Sequence, residues 1–132
     1  MKAVEVRIIF EFLSKIKLNK VDKDIRINIL KNYAELFSCQ KEIELKIEEV
    51  RKKVLSDEDI DTINECNKNK TSLPKELIEK INEYNLIIED VLNKEYDVKI
   101  TKVSEEKFVN SISEAEVDYT PMDIIRMKPI LK

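Results

Sequence analysis

Glycine, histidine and tryptophan are all missing from this 132-residue chain. Average usage would give roughly nine glycines in a chain of this length. Only glycine takes positive φ at no steric cost, so the phosphate-cradling loops of P-loop and Rossmann proteins are excluded. Without histidine there is no imidazole base, no Ser-His or Cys-His pair and no imidazole metal ligand. The two cysteines, Cys39 and Cys66, form no C-x-x-C pair. Neither a zinc knuckle nor a redox pair is signalled, and both are expected as reduced thiols of a cytosolic protein. No apolar run is long enough to span a bilayer. Charges interrupt the opening Met1-Lys2-Ala3-Val4-Glu5-Val6-Arg7, so no signal peptide is expected. These absences remove most common catalytic designs, and the expectation is a protein that is not an enzyme, with no catalytic residue, no metal and no cofactor.

What the chain does have is charge and aliphatic bulk. Charged residues make up 39% and apolar residues 42%. That is too apolar for a disordered tail and suits helices with a narrow apolar stripe and a broad charged face. The net charge of -3 is unevenly spread. Residues 1–53 hold 13 Lys/Arg against 9 Asp/Glu, a net of +4, and residues 54–132 hold 11 against 18, a net of -7. Such asymmetry fits attraction between the halves inside the fold, or a head-to-tail contact between copies.

Val4, Ile8, Phe12, Ile16 and Leu18, with Ile9 and Leu13 beside them, predict a helix over about residues 2–18. Asn19 to Asp22 reads as a turn with Asp22 as the N-cap. Ile25, Ile29, Tyr33, Leu36, Gln40, Ile43, Ile47, Val50 and Val54 then keep a period near 3.5 and predict one helix over about 24–54. Gln40 interrupts that seam, while Ile27, Leu30, Phe37 and Leu45 widen the stripe beyond what one partner helix covers. Residues 55–72 are polar and read as a linker, with room for a short helix through Ile60 and Ile63. Leu77, Ile81, Tyr84, Ile88 and Val91 predict a long helix over 73–95, opened by Ser72-Leu73-Pro74. Alternation of Tyr96, Val98 and Ile100 with polar residues predicts a strand. Ser104 caps a short helix carrying Phe108, Val109 and Ile112, and Thr120-Pro121-Met122-Asp123 opens a last one. The expected fold is mainly α: a long antiparallel helical hairpin or three-helix bundle, with a small strand-containing C-terminal part. It is expected as a single domain over 1–132: a net-basic helical segment over 1–54, the linker 55–72, the long helix 73–95 and a small α+β extension 96–132.

Asp57, Asp59 and Asp61 alternate like the start of a Ca²⁺ loop, but Thr62 stands where that loop needs glycine and Lys68 where it needs glutamate. Glu44 and Glu48 share a helix face, yet they lie off the apolar seam and have no histidine to join them, so a solvated face is expected. Lys20, Lys23 and Arg26, amid Lys15, Lys17 and Lys31, are the candidate phosphate contacts. No aromatic residues are interleaved there for base stacking, and no short recognition helix follows, so a nucleic-acid partner is disfavoured. Candidate partner-binding residues are Leu30 and Phe37 on the long helix, and Met122, Ile125 and Met127 in the adaptable, Met-containing C-terminal stretch. Soluble monomers rarely leave a contiguous apolar patch beyond a few hundred Å². A protein partner is therefore expected, with a homo-oligomer touching near Leu30 and Phe37 as the leading form, and no membrane partner.

Three stretches carry a resemblance. They are the opening helix with Leu13, Leu18 and Lys20 leading into Lys23-Asp24-Ile25-Arg26; the charged Ile47-Glu48-Glu49-Val50-Arg51-Lys52-Lys53; and Ile81-Asn82-Glu83-Tyr84-Asn85 leading to Leu92-Asn93-Lys94-Glu95-Tyr96-Asp97-Val98. In these the chain resembles a family of small bacteriophage proteins of unknown function encoded among virion structural genes. The resemblance implies a non-enzymatic, helical, phage-type interaction or assembly protein, a virion or tail accessory, in the host cytoplasm or the virion. The alternative expectation is an inhibitor of a host defence system or a nucleic-acid-binding regulator.

Overall fold

A computed structural model describes all 132 residues. The chain is mainly helical, 74% of it, and contains no sheet. Six α-helices follow one another: α1 (Ala3–Ser14), α2 (Lys23–Val54), α3 (Asp57–Asn69), α4 (Lys75–Asn93), α5 (Glu105–Glu114) and α6 (Pro121–Arg126). Single 3-10 turns stand at Leu18–Lys20 and Lys128–Ile130. The chain forms two compact units, Met1–Lys41 with Glu95–Lys132, and Glu42–Lys94. The first portion of α2 thus belongs to one unit and the remainder to the other.

The first unit holds most of the core. On α1, Ala3, Val6, Ile9, Phe12 and Leu13 are buried, and Ile16 follows beyond the helix end. Val4 and Ile8, placed at the centre of the stripe by the sequence, are only half-buried. On α2 the inward positions are Ile25, Ile29, Asn32 and Leu36. The C-terminal segment supplies Val103, Phe108, Ile112, Met127, Ile130 and Leu131 to the same unit's interior. The Phe12 and Phe108 rings lie 6.2 Å apart at a 44° tilt, within the range where tilted aromatic pairs attract. The short helix α6 starts as its sequence dictates. Thr120 Oγ1 accepts from the Asp123 amide at 3.3 Å, and Asp123 Oδ2 accepts from the Thr120 amide at 2.8 Å, with Pro121 at the first helical position. This reciprocal cap satisfies donors that the first turn would otherwise leave open.

The expected strand at Tyr96 to Ile100 is not formed, and the C-terminal segment contains no strand. Its alternation survives as burial: Tyr96, Val98 and Ile100 are half-buried, while Asp97 and Lys99 are exposed. No neighbouring strand supplies a ladder. The backbone of this region finds its partners one at a time instead. Tyr96 exchanges hydrogen bonds with Met1, whose carbonyl accepts at 2.8 Å and whose amine donates at 3.0 Å. Val103 donates to Ile130 and accepts from Lys132, both at 2.9 Å. Between them, the buried Asn32 side chain serves Thr101: its Nδ2 donates to the Thr101 carbonyl and its Oδ1 accepts from the Thr101 amide, each at 2.8 Å. What remains of β pairing is two isolated bridges, Lys2 with Glu95 and Val103 with Leu131.

In the second unit, Ile43, Val50, Leu55 and Leu77 are buried. The polar stretch read as a linker is occupied by α3, with Ile60 and Ile63 half-buried on it. Its start is heavily capped. Ser56 Oγ accepts from the Asp59 amide at 3.1 Å while Asp59 Oδ2 accepts from the Ser56 amide at 2.9 Å. Asp59 also receives Lys80 Nζ of α4 at 3.1 Å. Asp57 receives Arg51 Nη1 at 2.8 Å, and Arg51 Nη2 reaches Glu48 at 2.7 Å. The alternating aspartates are thus explained by a helix start and two ion pairs. At its other end α3 closes on Lys70 at φ 55 and ψ 37, a left-handed conformation normally given to glycine. A chain without glycine accepts this cost at Lys70 and again at Glu116, where φ is 60.

Candidate functional site

The first unit's most exposed apolar surface lies on α2. Its buried side fixes the rotation of the helix: with Ile25, Ile29, Asn32 and Leu36 inward, the positions about a third to a half of a turn away face outward. There stand Ile27, Leu30, Ala34 and Phe37, all exposed. Leu30 and Phe37 each keep 51% of their surface open, and Ile27 keeps 57%. Aromatic contacts join this strip to α1. Phe10 stacks on Tyr33 with centroids 4.8 Å apart and planes at 22°, and it meets Phe37 at 6.1 Å and 47°. Leu30 and Tyr33, with Leu13, Leu18 and Ile29, line a shallow apolar depression of about 160 Å³. On the other side of Phe10 a wider cleft of about 450 Å³ runs along α1, bordered by Val4, Ile8, Glu11 and Gln40. The result is a shaped surface of stacked rings and aliphatic side chains flanked by two hollows.

The sequence-nominated residues separate in the structure. Leu30 and Phe37 share the α2 surface. Met122 and Ile125 are also exposed, at 51% and 57%, on α6. Their sequence neighbours Asp123 and Arg126 line a further hollow with Ile8, Glu11, Phe12, Lys15 and Met127. Met127 departs from expectation: it is 1% exposed. The short helix ends at Arg126, and the turn after it swings Met127 inward with Ile130 and Leu131, so Met127 fills core space and is not offered to a partner.

The nominated basic residues have different surroundings. Lys20 lines a cleft of about 450 Å³ with Lys15 and Lys17, but Glu116 and Asp118 line the same cleft. Arg26 turns back on its own chain, its Nη2 donating to the Val21 carbonyl at 2.9 Å. Lys23 is exposed at the start of α2. Lys20 thus shares its cleft with two carboxylates, and Arg26 is engaged by a backbone carbonyl.

The Asp59 and Arg51 side chains, at the junction of α2 and α3, depart from ordinary behaviour. The Ser56 amide and then Lys80 hold the Asp59 carboxyl below the usual carboxylate range. Glu48 and then Asp57 push the Arg51 guanidinium further above its ordinary value. Both displacements are accounted for by helix capping and ion pairing. No three His, Cys, Asp or Glu side chains gather as a metal site, and no helix is long and apolar enough to cross a membrane.

Sequence reasoning missed Phe10 as a surface residue and placed Tyr33 on the buried seam. The signal for Phe10 was available: it is a large aromatic outside the predicted stripe of its helix. Comparison of the chain with protein-family models, with curated proteins and with solved structures finds no match.

Proposed function

We propose that this chain is a non-enzymatic protein-interaction or assembly module that works through the surface formed by Leu30, Tyr33 and Phe37 of α2 with Phe10 of α1. In this reading it is an accessory of the kind phages encode among virion structural genes, and its second unit serves as a helical bundle. The observation that supports this is the stacked aromatic surface itself. Phe10 in contact with both Tyr33 and Phe37, with Phe37 half-exposed beside an exposed Leu30, makes the kind of low-entropy aromatic anchor that dominates protein interfaces.

A photocrosslinking benzophenone side chain in place of Phe37 tests this. In cells producing the chain, illumination is expected to yield a discrete covalent adduct with a protein. The same side chain at Glu106, on the exposed side of α5, is expected to yield none. Absence of an adduct at position 37, or equal labelling at both positions, would overturn the reading.

A further inference from the structure

The outward side of α2 is itself a seam. Ile27, Leu30, Ala34, Phe37 and Lys41 are spaced 3, 4, 3 and 4 and are all exposed, which is the spacing of a helix prepared for a second helix. The other long helix carries a matching exposed row. On α4, Ile78, Asn82, Leu86 and Glu89 are spaced 4, 4 and 3 and are all exposed, with Leu86 at 66% the most open large apolar residue of the molecule. The two units that carry these rows are oppositely charged. The first unit holds 15 Lys/Arg against 13 Asp/Glu, a net of +2, whereas the second holds 9 against 14, a net of -5.

We propose that the α2 row of one copy docks on the α4 row of a second copy, the two helices running parallel. One register pairs the α2 row from Leu30 to Lys41. Leu30 packs on Ile78, the small Ala34 faces Asn82, Phe37 packs on Leu86, and Lys41 pairs with Glu89. Over this stretch apolar anchors meet apolar anchors, and the lysine meets a carboxylate. Pairing the α2 row with itself is worse by the same measure. In parallel it stacks Lys41 on Lys41, and in antiparallel register about Ala34 it sets Lys41 opposite Ile27. Like charges stacked together, or a charge set on an apolar anchor, count against a pairing. The contact is heterologous: the surface each copy gives differs from the surface it receives, so both stay available at the ends of any open assembly. This deepens the reading above and rests on it, with a second copy as the partner.

Complementary surface variants of the full chain provide the test, read by light scattering and sedimentation. Wild type is expected to self-associate, with mass rising as concentration rises to about 1 mM. Phe37→Glu and Leu86→Glu, both at exposed positions, should each remain helical by circular dichroism. Each should weaken self-association by about 30-fold or more, as expected for loss of a central apolar anchor. Mixed together they should form a 1:1 dimer and nothing larger, because one intact α2 row and one intact α4 row remain. Lys41→Glu should weaken association about 3- to 10-fold, and adding Glu89→Lys in the same chain should restore it. Self-association of Leu86→Glu at wild-type strength would overturn the proposal in favour of α2 self-pairing. So would a mixture that stays monomeric. A monomeric wild type that still gives an adduct with a different protein at position 37 would overturn this inference and leave the proposed function standing, whereas a monomeric wild type with no adduct would end both.

Discussion

Replacing Asn32 by alanine should be among the most damaging polar substitutions in this chain. Asn32 is fully buried, 0% exposed. Its amide makes two hydrogen bonds of 2.8 Å to a single backbone unit, the Thr101 amide and carbonyl. That geometry imitates one rung of a sheet ladder and holds an irregular segment against α2. Alanine removes both partners at once. Each buried backbone group left without a partner costs about 1–3 kcal/mol, so the two together cost about 2–6 kcal/mol. Thr101 is only half-buried, and water reaching it brings the expected loss to about 2–4 kcal/mol. A domain is stable by only about 5–15 kcal/mol in total, so the change is large. With a urea slope of about 1–3 kcal/mol per molar, the unfolding midpoint of the first unit should fall by about 1–2 M, read by circular dichroism. Hydrogen exchange gives the local readout: the Thr101 amide should be protected in wild type and lose protection in Asn32→Ala before the amides of α1 do. Asn32→Asp keeps an acceptor but replaces the donor with a buried negative charge, and should be worse than alanine above the carboxylate range. A midpoint shift below about 0.2 M, with Thr101 unprotected in wild type, would refute the reasoning, because it would mean the Asn32 contact carries no stability.

Other residues give sharper contrasts. Met127→Ala should destabilise by about 2–4 kcal/mol because it empties core volume. Met122→Ala, one turn earlier on the exposed side of α6, should stay within about 0.5 kcal/mol, and equal effects in thermal melts would contradict the assigned burial. Lys70→Gly relieves a left-handed residue at the end of α3 and should stabilise by about 0.5–1 kcal/mol, the strain of roughly 1–2 kcal/mol less glycine's entropic cost; a lower melting temperature would count against it. Asp59 is held below its ordinary value of 3.8, so its contribution to stability is complete above that value and is lost as pH falls through its lower folded value. A pH titration of unfolding from 6 to 2.5 should therefore be flatter for Asp59→Asn than for wild type, and identical slopes would exclude the proposed role of Ser56 and Lys80.

The long periodic segments were the most legible feature of this sequence. Apolar residues recurring every three or four positions define α2 and α4 almost to their ends, because a continuous stripe admits only one helical solution. The caps at Ser104 and Thr120 were equally readable, since they depend on residues three or four apart. The stretch 55–72 was harder. Its short apolar pattern, Ile60 and Ile63, is carried by capping and ion pairs, and the partners of Asp59 and Asp57 lie in α4 and at the end of α2. Of the proposed docking surface, Leu30 and Phe37 were legible as apolar residues in excess of one seam, whereas the addition of Phe10 required knowing which side of α1 faces inward.

The error at Tyr96 to Ile100 has a definite physical origin. Alternating burial is a statement about side chains, whereas a strand is a statement about backbone partners. A segment can alternate without pairing whenever its amides and carbonyls are satisfied by something other than a strand. Here that partner is a side chain from a helix, Asn32, one residue from the Tyr33 position that the 3.5 period assigned to the seam. The same substitution of inward residue explains both departures. Burying Asn32 to hold Thr101 turns Tyr33 towards the surface, where it stacks on Phe10 and joins the exposed aromatic cluster. The polar rung inside the unit and the apolar surface outside it are therefore consequences of one choice of helix rotation, and a substitution at Asn32 that lets α2 turn should disturb the docking surface as well as the core.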